Sequence, residues 1–331
     1  MTEHAPRSAL AITRRTFLAA SVASAAGAAG LAAAGAAEPG AKGGRFRFVE
    51  QEGGRIQVLE ADAPVLTYAW GDQLKDGVPA DRKRSCYVHP VWGLDGEVLT
   101  DDFPADHYHH RGVFWTWPRM KAAGKDVDLW TIVGIRQHFG KWLGREAGAD
   151  GAALAVANDW IVAGTVVARE TVRLLAHKAD ALGRAIDVEL RLEAASPVEL
   201  LGAEGKGYGG LSLRFAPRKD TVITSEEGRQ AKDSDTHKSW WADLSARFGG
   251  RGAASGAAIF IHPDNPGGPN AWTLRHYGFL GPSWPALEPY TLEPGKPVTL
   301  KYRLWVHRGD VAAGKVAEAW ATYRAAARKE P

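Results

Sequence analysis

Ile186-Asp187-Val188-Glu189-Leu190-Arg191-Leu192 alternates apolar and charged residues without a break. A period of two places Ile186, Val188, Leu190 and Leu192 on one face and the charged residues on the other. That is the pattern of an antiparallel strand with one buried side. Leu300-Lys301-Tyr302-Arg303-Leu304-Trp305-Val306 repeats it, and Arg45-Phe46-Arg47-Phe48-Val49 begins it. Between such runs lie turn signals at Glu52-Gly53-Gly54, Asp95-Gly96, Pro266-Gly267-Gly268 and Glu293-Pro294-Gly295. Residues 151–178 read as a long hairpin, with Asn158-Asp159 and Ala163-Gly164 as turn candidates. One helix is expected, over 311–327, where Val311, Ala312, Val316, Ala319, Trp320 and Tyr323 recur at helical spacing. The expected fold is all-β: an antiparallel β-sandwich with a C-terminal α-helix, formed by residues 44–331 as a single domain. There is no internal repeat and no glycine-rich phosphate loop.

The first 36 residues read differently. Thr13-Arg14-Arg15-Thr16-Phe17-Leu18 carries paired arginines ahead of a weakly apolar run, mostly Ala and Gly, that reaches Ala34. Ala34-Gly35-Ala36 supplies the small residues that a signal peptidase cuts after. Paired arginines select the twin-arginine route, which carries folded proteins out of the cytoplasm. The expectation is a signal peptide over 1–36, a disordered Gly/Pro/Ala linker over 37–43, and a periplasmic or secreted mature protein. Its export partner would be the twin-arginine translocase. A transmembrane anchor is the alternative for the apolar run, but Ala and Gly contribute little to insertion. No later stretch approaches the length of a membrane span, so none is expected in the mature form.

Charge and composition narrow the function. The chain has 331 residues and a net charge of +3. Arg7, Arg14 and Arg15 against Glu3 place two of those charges in the first 36 residues, leaving +1 beyond them. With no Lys/Arg run, nucleic-acid binding is not expected. One cysteine, Cys86, excludes an internal disulfide, so the core must supply stability. Thirteen tryptophans are many for this length; most should fill the core, and a few could stack on sugar faces.

The chemistry concentrates in a few segments. Asp106-His107-Tyr108-His109-His110-Arg111-Gly112 follows Asp101-Asp102-Phe103-Pro104. If 107–111 is extended, His107, His109 and Arg111 share one face and His110 takes the other. Two imidazoles on one face can bind a divalent transition metal, with Asp106 or Glu204 completing the shell. They can equally donate to sugar hydroxyls, or form a satisfied polar edge. Glu204-Gly205-Lys206-Gly207-Tyr208-Gly209-Gly210 alternates glycine with functional side chains, letting its backbone approach a ligand or another strand closely. His262 opens a loop after the apolar strand 257–261, and Arg275-His276-Tyr277-Gly278 forms a further candidate. His89, at a strand end, could join the first cluster. His138, His177 and His307 sit in alternating strands and read as hydrogen-bonded structural histidines. Trp240-Trp241 after His237 could form a stacking platform, though such a pair is more often core.

Taken together, Tyr87-Val88-His89-Pro90, Leu99-Thr100-Asp101-Asp102-Phe103-Pro104, Asp106 to Gly112, Lys206-Gly207-Tyr208-Gly209-Gly210 and Arg275-His276-Tyr277-Gly278 resemble a bacterial family labelled PmoA-like, or DUF6807. Tyr108 stands where the commoner form of the motif has proline. The first label points to a membrane monooxygenase subunit, which needs apolar spans that residues 44–331 lack. The resemblance implies a β-sandwich of the galactose-mutarotase type (a supersandwich) and an association with sugar catabolism. It implies no catalytic residue.

The leading expectation is therefore an exported carbohydrate-active enzyme of epimerase, lyase or hydrolase type, with a small sugar or oligosaccharide as substrate. In it His109, Glu204, His107 and Asp106 do acid–base work. His89, His110, Arg111, Lys206, Tyr208, His262, His276 and Tyr277 contact substrate, with Arg111 and Lys206 stabilising developing oxyanion charge. One alternative is a metal-dependent oxygenase or hydrolase with His107 and His109 as ligands. The other is a non-catalytic glycan-binding module.

Overall fold

Alternation sets the strands. In a computed structural model, which describes residues 45–250 and 252–328, the stretch 186–192 lies within the strand Gly183–Ala194. Ile186, Val188, Leu190 and Leu192 are buried and the charged residues between them are half-buried. The strand pairs antiparallel with Thr165–His177 on one side and Val298–Arg308 on the other. Its wet face is laced across strands: Arg173 Nη1 donates to Glu189 at 2.6 Å, and Asp187 accepts from His177 Nε2 at 2.7 Å and Arg303 Nη2 at 2.8 Å. The signal peptide and linker expected over 1–43 lie outside the described residues.

Among the described residues three sheets result. One of nine strands runs Phe46–Gln51, Arg55–Glu60, Ala63–Ala69, Tyr87–Val91, Val113–Thr116, Gly210–Arg214, Phe279–Ser283, Ala271–Arg275, Ser234–Lys238. A second of nine runs Gly228–Gln230, Arg218–Ser225, Trp241–Phe248, Ser255–Ile261, Val298–Arg308, Gly183–Ala194, Thr165–His177, Gly151–Val162, Arg136–Ala147. A small sheet joins Tyr290–Leu292, Val198–Leu201, Arg119–Ala122 and Lys125–Val127. A single apolar cluster, including Trp115, Trp117, Trp160, Leu190, Trp272 and Leu304, draws on both large sheets. The architecture is thus an antiparallel β-sandwich with one C-terminal helix.

Two boundaries differ from expectation. The hairpin of 151–178 turns only at Ala163-Gly164, where both residues have positive φ, 47° and 81°. That is the twist a two-residue hairpin loop requires. Asn158, expected at a turn, is a fully buried strand residue. The helix spans Val316–Ala327 rather than starting at 311. Lys315 is left-handed, and Asp310 accepts from the amides of Ala312 and Ala313, so 311–315 form turns instead. Val316, Trp320 and Tyr323 then pack on Trp241, Ala258 and Phe260 of the second sheet.

Of the glycines in 205–210, Gly207, Gly209 and Gly210 meet protein, while Gly205 faces open space. Gly209 lies against Trp117 and Pro118, and Gly210 faces the Trp284 carbonyl. No helix among the described residues is long and apolar enough to cross a membrane.

Candidate functional site

The segment 104–111 is a pair of turns, not an extended strand. The His107 amide donates to Pro104 O at 3.1 Å and the His110 amide to His107 O at 2.8 Å. A turn brings residues three apart together. The His107 and His110 rings therefore stack at 4.7 Å and 4°, where an extended chain would have put them on opposite faces. His109 stands edge-on to both, at 5.7 Å from His107 and 4.6 Å from His110.

Arg111 shapes this loop from beneath. It is fully buried, and its Nη1 donates to the carbonyls of Tyr108 at 2.6 Å and His110 at 2.7 Å. Nη2 donates to Arg82 O at 3.1 Å, and the guanidinium lies 3.4 Å over the Phe103 ring. Asp102 stands 3.5 Å from Arg111 Nε and accepts from the Tyr87 hydroxyl at 2.8 Å. Burial pushes the Asp102 carboxyl up to about 6 against the pull of Arg111 and Tyr87. With its Nη donors spent on carbonyls, Arg111 supports the site rather than reaching into it. Gly112 follows because a Cβ there would meet the Val88 carbonyl at 2.3 Å.

Distant segments complete the cluster. Tyr277, on the hairpin tip between Ala271–Arg275 and Phe279–Ser283, stacks on His107 at 5.1 Å and 13°. His276 secures that tip through Asp233 at 2.8 Å and the Gln230 carbonyl at 3.1 Å. Phe279 packs on His110 at 5.0 Å, so a ladder of rings runs Tyr277, His107, His110, Phe279. Trp130 borders His109 and His110, and Tyr208 lies 4.7 Å from Trp130. Asp106 receives Arg214 Nη2 on both oxygens, at 2.8 and 2.9 Å, and stands 3.0 Å from His107 Nδ1. Burial would raise its carboxyl, but Arg214 and His107 outweigh that, and the net shift is downward.

His109 is held neutral. Burial first, then electrostatic interaction with His107 and with the Arg84, Arg111 and Arg214 guanidiniums, lower it to about 4. His110 is pushed well below the usual imidazole range by burial first, then by His109, His107, Arg214 and Arg111. Burial keeps the Tyr208 and Tyr277 hydroxyls protonated by raising both.

The other sequence candidates lie apart. His89 packs against Gly112 and bonds Thr100 Oγ1 at 3.0 Å instead of joining the ladder. Glu204 and Lys206 are exposed on the turn whose amides 206 and 207 donate to Ala203 O; of that segment it is Tyr208 that enters the cluster. His262 is buried against Tyr323 of the C-terminal helix. Trp241 is buried, and Trp240 stacks on Trp320 at 6.1 Å, so this pair belongs to the core around the helix. Among the described residues no three His, Cys, Asp or Glu side chains converge as a metal-binding set. Sequence reasoning did not single out Trp130, Arg84 or Arg214. The last had a signal, an arginine closing the otherwise uncharged strand Gly210–Arg214.

No curated protein matches the chain in sequence. Among solved structures, a heparan sulfate lyase from Pedobacter heparinus overlaps 78% of this chain at 6% identity and a TM-score of 0.41. The chain spans only 36% of that lyase's length. A GalM/aldose epimerase homologue from C. elegans overlaps 80% of this chain and 99% of its own, at 8% identity and a TM-score of 0.37. At such scores neither protein's activity carries over. Over residues 55–321 the chain matches the family of unknown function DUF6807, and it belongs to that family.

Proposed function

We propose that this protein is exported by the twin-arginine route and acts outside the cytoplasm as an enzyme on a sugar or modified glycoside. Its chemistry is proton transfer at the His107–His109–His110 loop. The observation that carries the reading is the ladder itself, whose outer rung Tyr277 is a half-exposed flat ring beside the edges of His107 and His109 and other hydrogen-bonding groups. Such surfaces suit the alternating apolar faces and hydroxyl edges of a pyranose.

A neutral His109 accepts a proton at neutral pH, and the protonated Tyr208 and Tyr277 hydroxyls can return one. Asp106 stays a carboxylate and orients His107 and Arg214. Hydrolysis by paired carboxylates is a poorer fit. It needs two acids flanking one bond, and here Asp106 is tied to Arg214 while Glu204 lies on an exposed turn. Epimerisation and β-elimination need only the proton-transfer set.

The test is incubation of residues 37–331 with a panel of neutral, acidic and keto-sugars in deuterated water, followed by NMR. Deuterium incorporation or product on at least one sugar is expected. Binding without exchange or product would favour a glycan-binding module instead, and no interaction with any sugar would end the reading. Export is tested separately. Replacing Arg14 and Arg15 together by lysine should abolish periplasmic accumulation, because the route reads the paired guanidiniums. Unchanged export of that variant would remove the twin-arginine assignment.

A further inference from the structure

Three guanidiniums are buried around the histidine loop: Arg84 at 4% exposure, Arg111 at 0% and Arg214 at 5%. Two have carboxylates. Arg214 holds Asp106, and Arg111 stands by Asp102. Arg84 has no carboxylate contact among the described residues. Its Nη2 donates to the carbonyls of Leu129 and Trp130, its side chain lies 5.9 Å from the Phe114 ring, and its Nε and Nη1 find no partner among the described residues. Asp128, the carboxylate whose field reaches it, is committed to the amide and hydroxyl of Thr131. Arg214 also leaves Nε and Nη1 without a partner among the described residues, beneath the Tyr277 ring at 4.8 Å.

A buried charge without a counter-ion is costly, and folds rarely keep one without use. The surplus lies next to the half-buried His109, whose ring borders Trp130, the residue whose carbonyl Arg84 holds, and which follows Tyr108, whose carbonyl Arg111 holds. A low-dielectric floor with excess positive charge draws anions.

Resting on the sugar reading of this site, we infer that its ligand is an anionic sugar, a uronic acid, whose carboxylate settles over His109 in the field of Arg84, Arg111 and Arg214. Rotation of Tyr277, a half-exposed residue on a hairpin tip, uncovers the remaining Arg214 donors for the same carboxylate.

The experiment is calorimetric titration of residues 37–331 with D-glucuronate, D-glucose and inorganic phosphate. Glucuronate is expected to bind at least about tenfold more tightly than glucose, the scale of one unscreened charge at this depth. Its Kd should rise with NaCl while that of glucose stays flat. Arg84→Gln should reduce the glucuronate preference to near unity, and Arg84→Lys should keep it. Should Arg84→Gln fail to fold, the contrasting salt dependence of the two sugars on the unaltered protein decides alone. Equal affinity for glucose and glucuronate would overturn the inference and leave the sugar reading standing. Phosphate binding as tight as glucuronate, with no glucose binding, would overturn both.

Discussion

Glu170→Ala is expected to destabilise the protein by about 4 kcal/mol, the scale of a buried side chain removed together with several hydrogen-bond partners, measured by urea denaturation of residues 37–331. Glu170 is fully buried in the strand Thr165–His177, and no cation contacts it among the described residues. Four neutral side chains solvate it instead. Trp115 Nε1 donates at 3.0 Å, Trp160 Nε1 at 2.8 Å, Asn158 Nδ2 at 2.8 Å, and Gln137 Nε2 to both oxygens at 3.1 and 3.2 Å. Burial raises its pKa, while these four donors pull it back without cancelling the rise. Alanine leaves the Trp115, Trp160 and Gln137 donors unpaired in a dry interior, Asn158 keeping only the Tyr68 hydroxyl, and opens a cavity between the sheets. Glu170→Gln should cost less, since it keeps the volume and one acceptor but points an amide N–H at donors. A loss below about 1.5 kcal/mol for the alanine variant would mean that water reaches the network.

His109→Ala is expected to lower kcat about 100- to 10,000-fold on whichever sugar proves to be the substrate, the span for losing a general base. KM should move much less, because the ladder of Tyr277, His107 and His110 remains. The pH profile provides an independent check. With His109 held down to about 4, the base is competent throughout the neutral range. The low-pH limb of kcat/KM should therefore fall only as pH drops through about 4, where the imidazole protonates and can no longer accept. A limb near the ordinary imidazole pKa, or turnover of His109→Ala within threefold of the parent, would remove His109 from the reaction.

Local pattern carried the reading wherever a segment's environment repeated along the chain. The alternation at 186–192 and 300–306 required only one apolar and one wet face, and those strands formed there. Ala163-Gly164 turned because its two positive φ values are a local demand. Asn158 was misleading because its polarity usually marks a turn. Here its amide bonds Glu170 and the Tyr68 hydroxyl at 3.1 Å, partners contributed from other strands. The histidine motif was legible as chemistry but not as shape. Nothing local distinguishes an extended 107–111 from a turned one, whereas buried Arg111 drawing in the carbonyls of 82, 108 and 110 does. Glu204 and Tyr208 share one segment, and only packing against Trp130 decided which of them reaches the cluster.

Taken alone, the sequence determined the antiparallel sandwich, the C-terminal helix, the export signal as an expectation and the segments rich in functional side chains. Each depends on near neighbours, through side-chain period or motif. The tertiary structure decided which of those segments meet. Tyr277 joins His107 across about 170 residues, Arg214 joins Asp106, and His262 goes instead to the helix. It also decided the electrical character of the loop. Charges of both signs nearly balance along the chain, but burial places three guanidiniums beneath one set of imidazoles, and desolvation rather than net charge sets the protonation of His109.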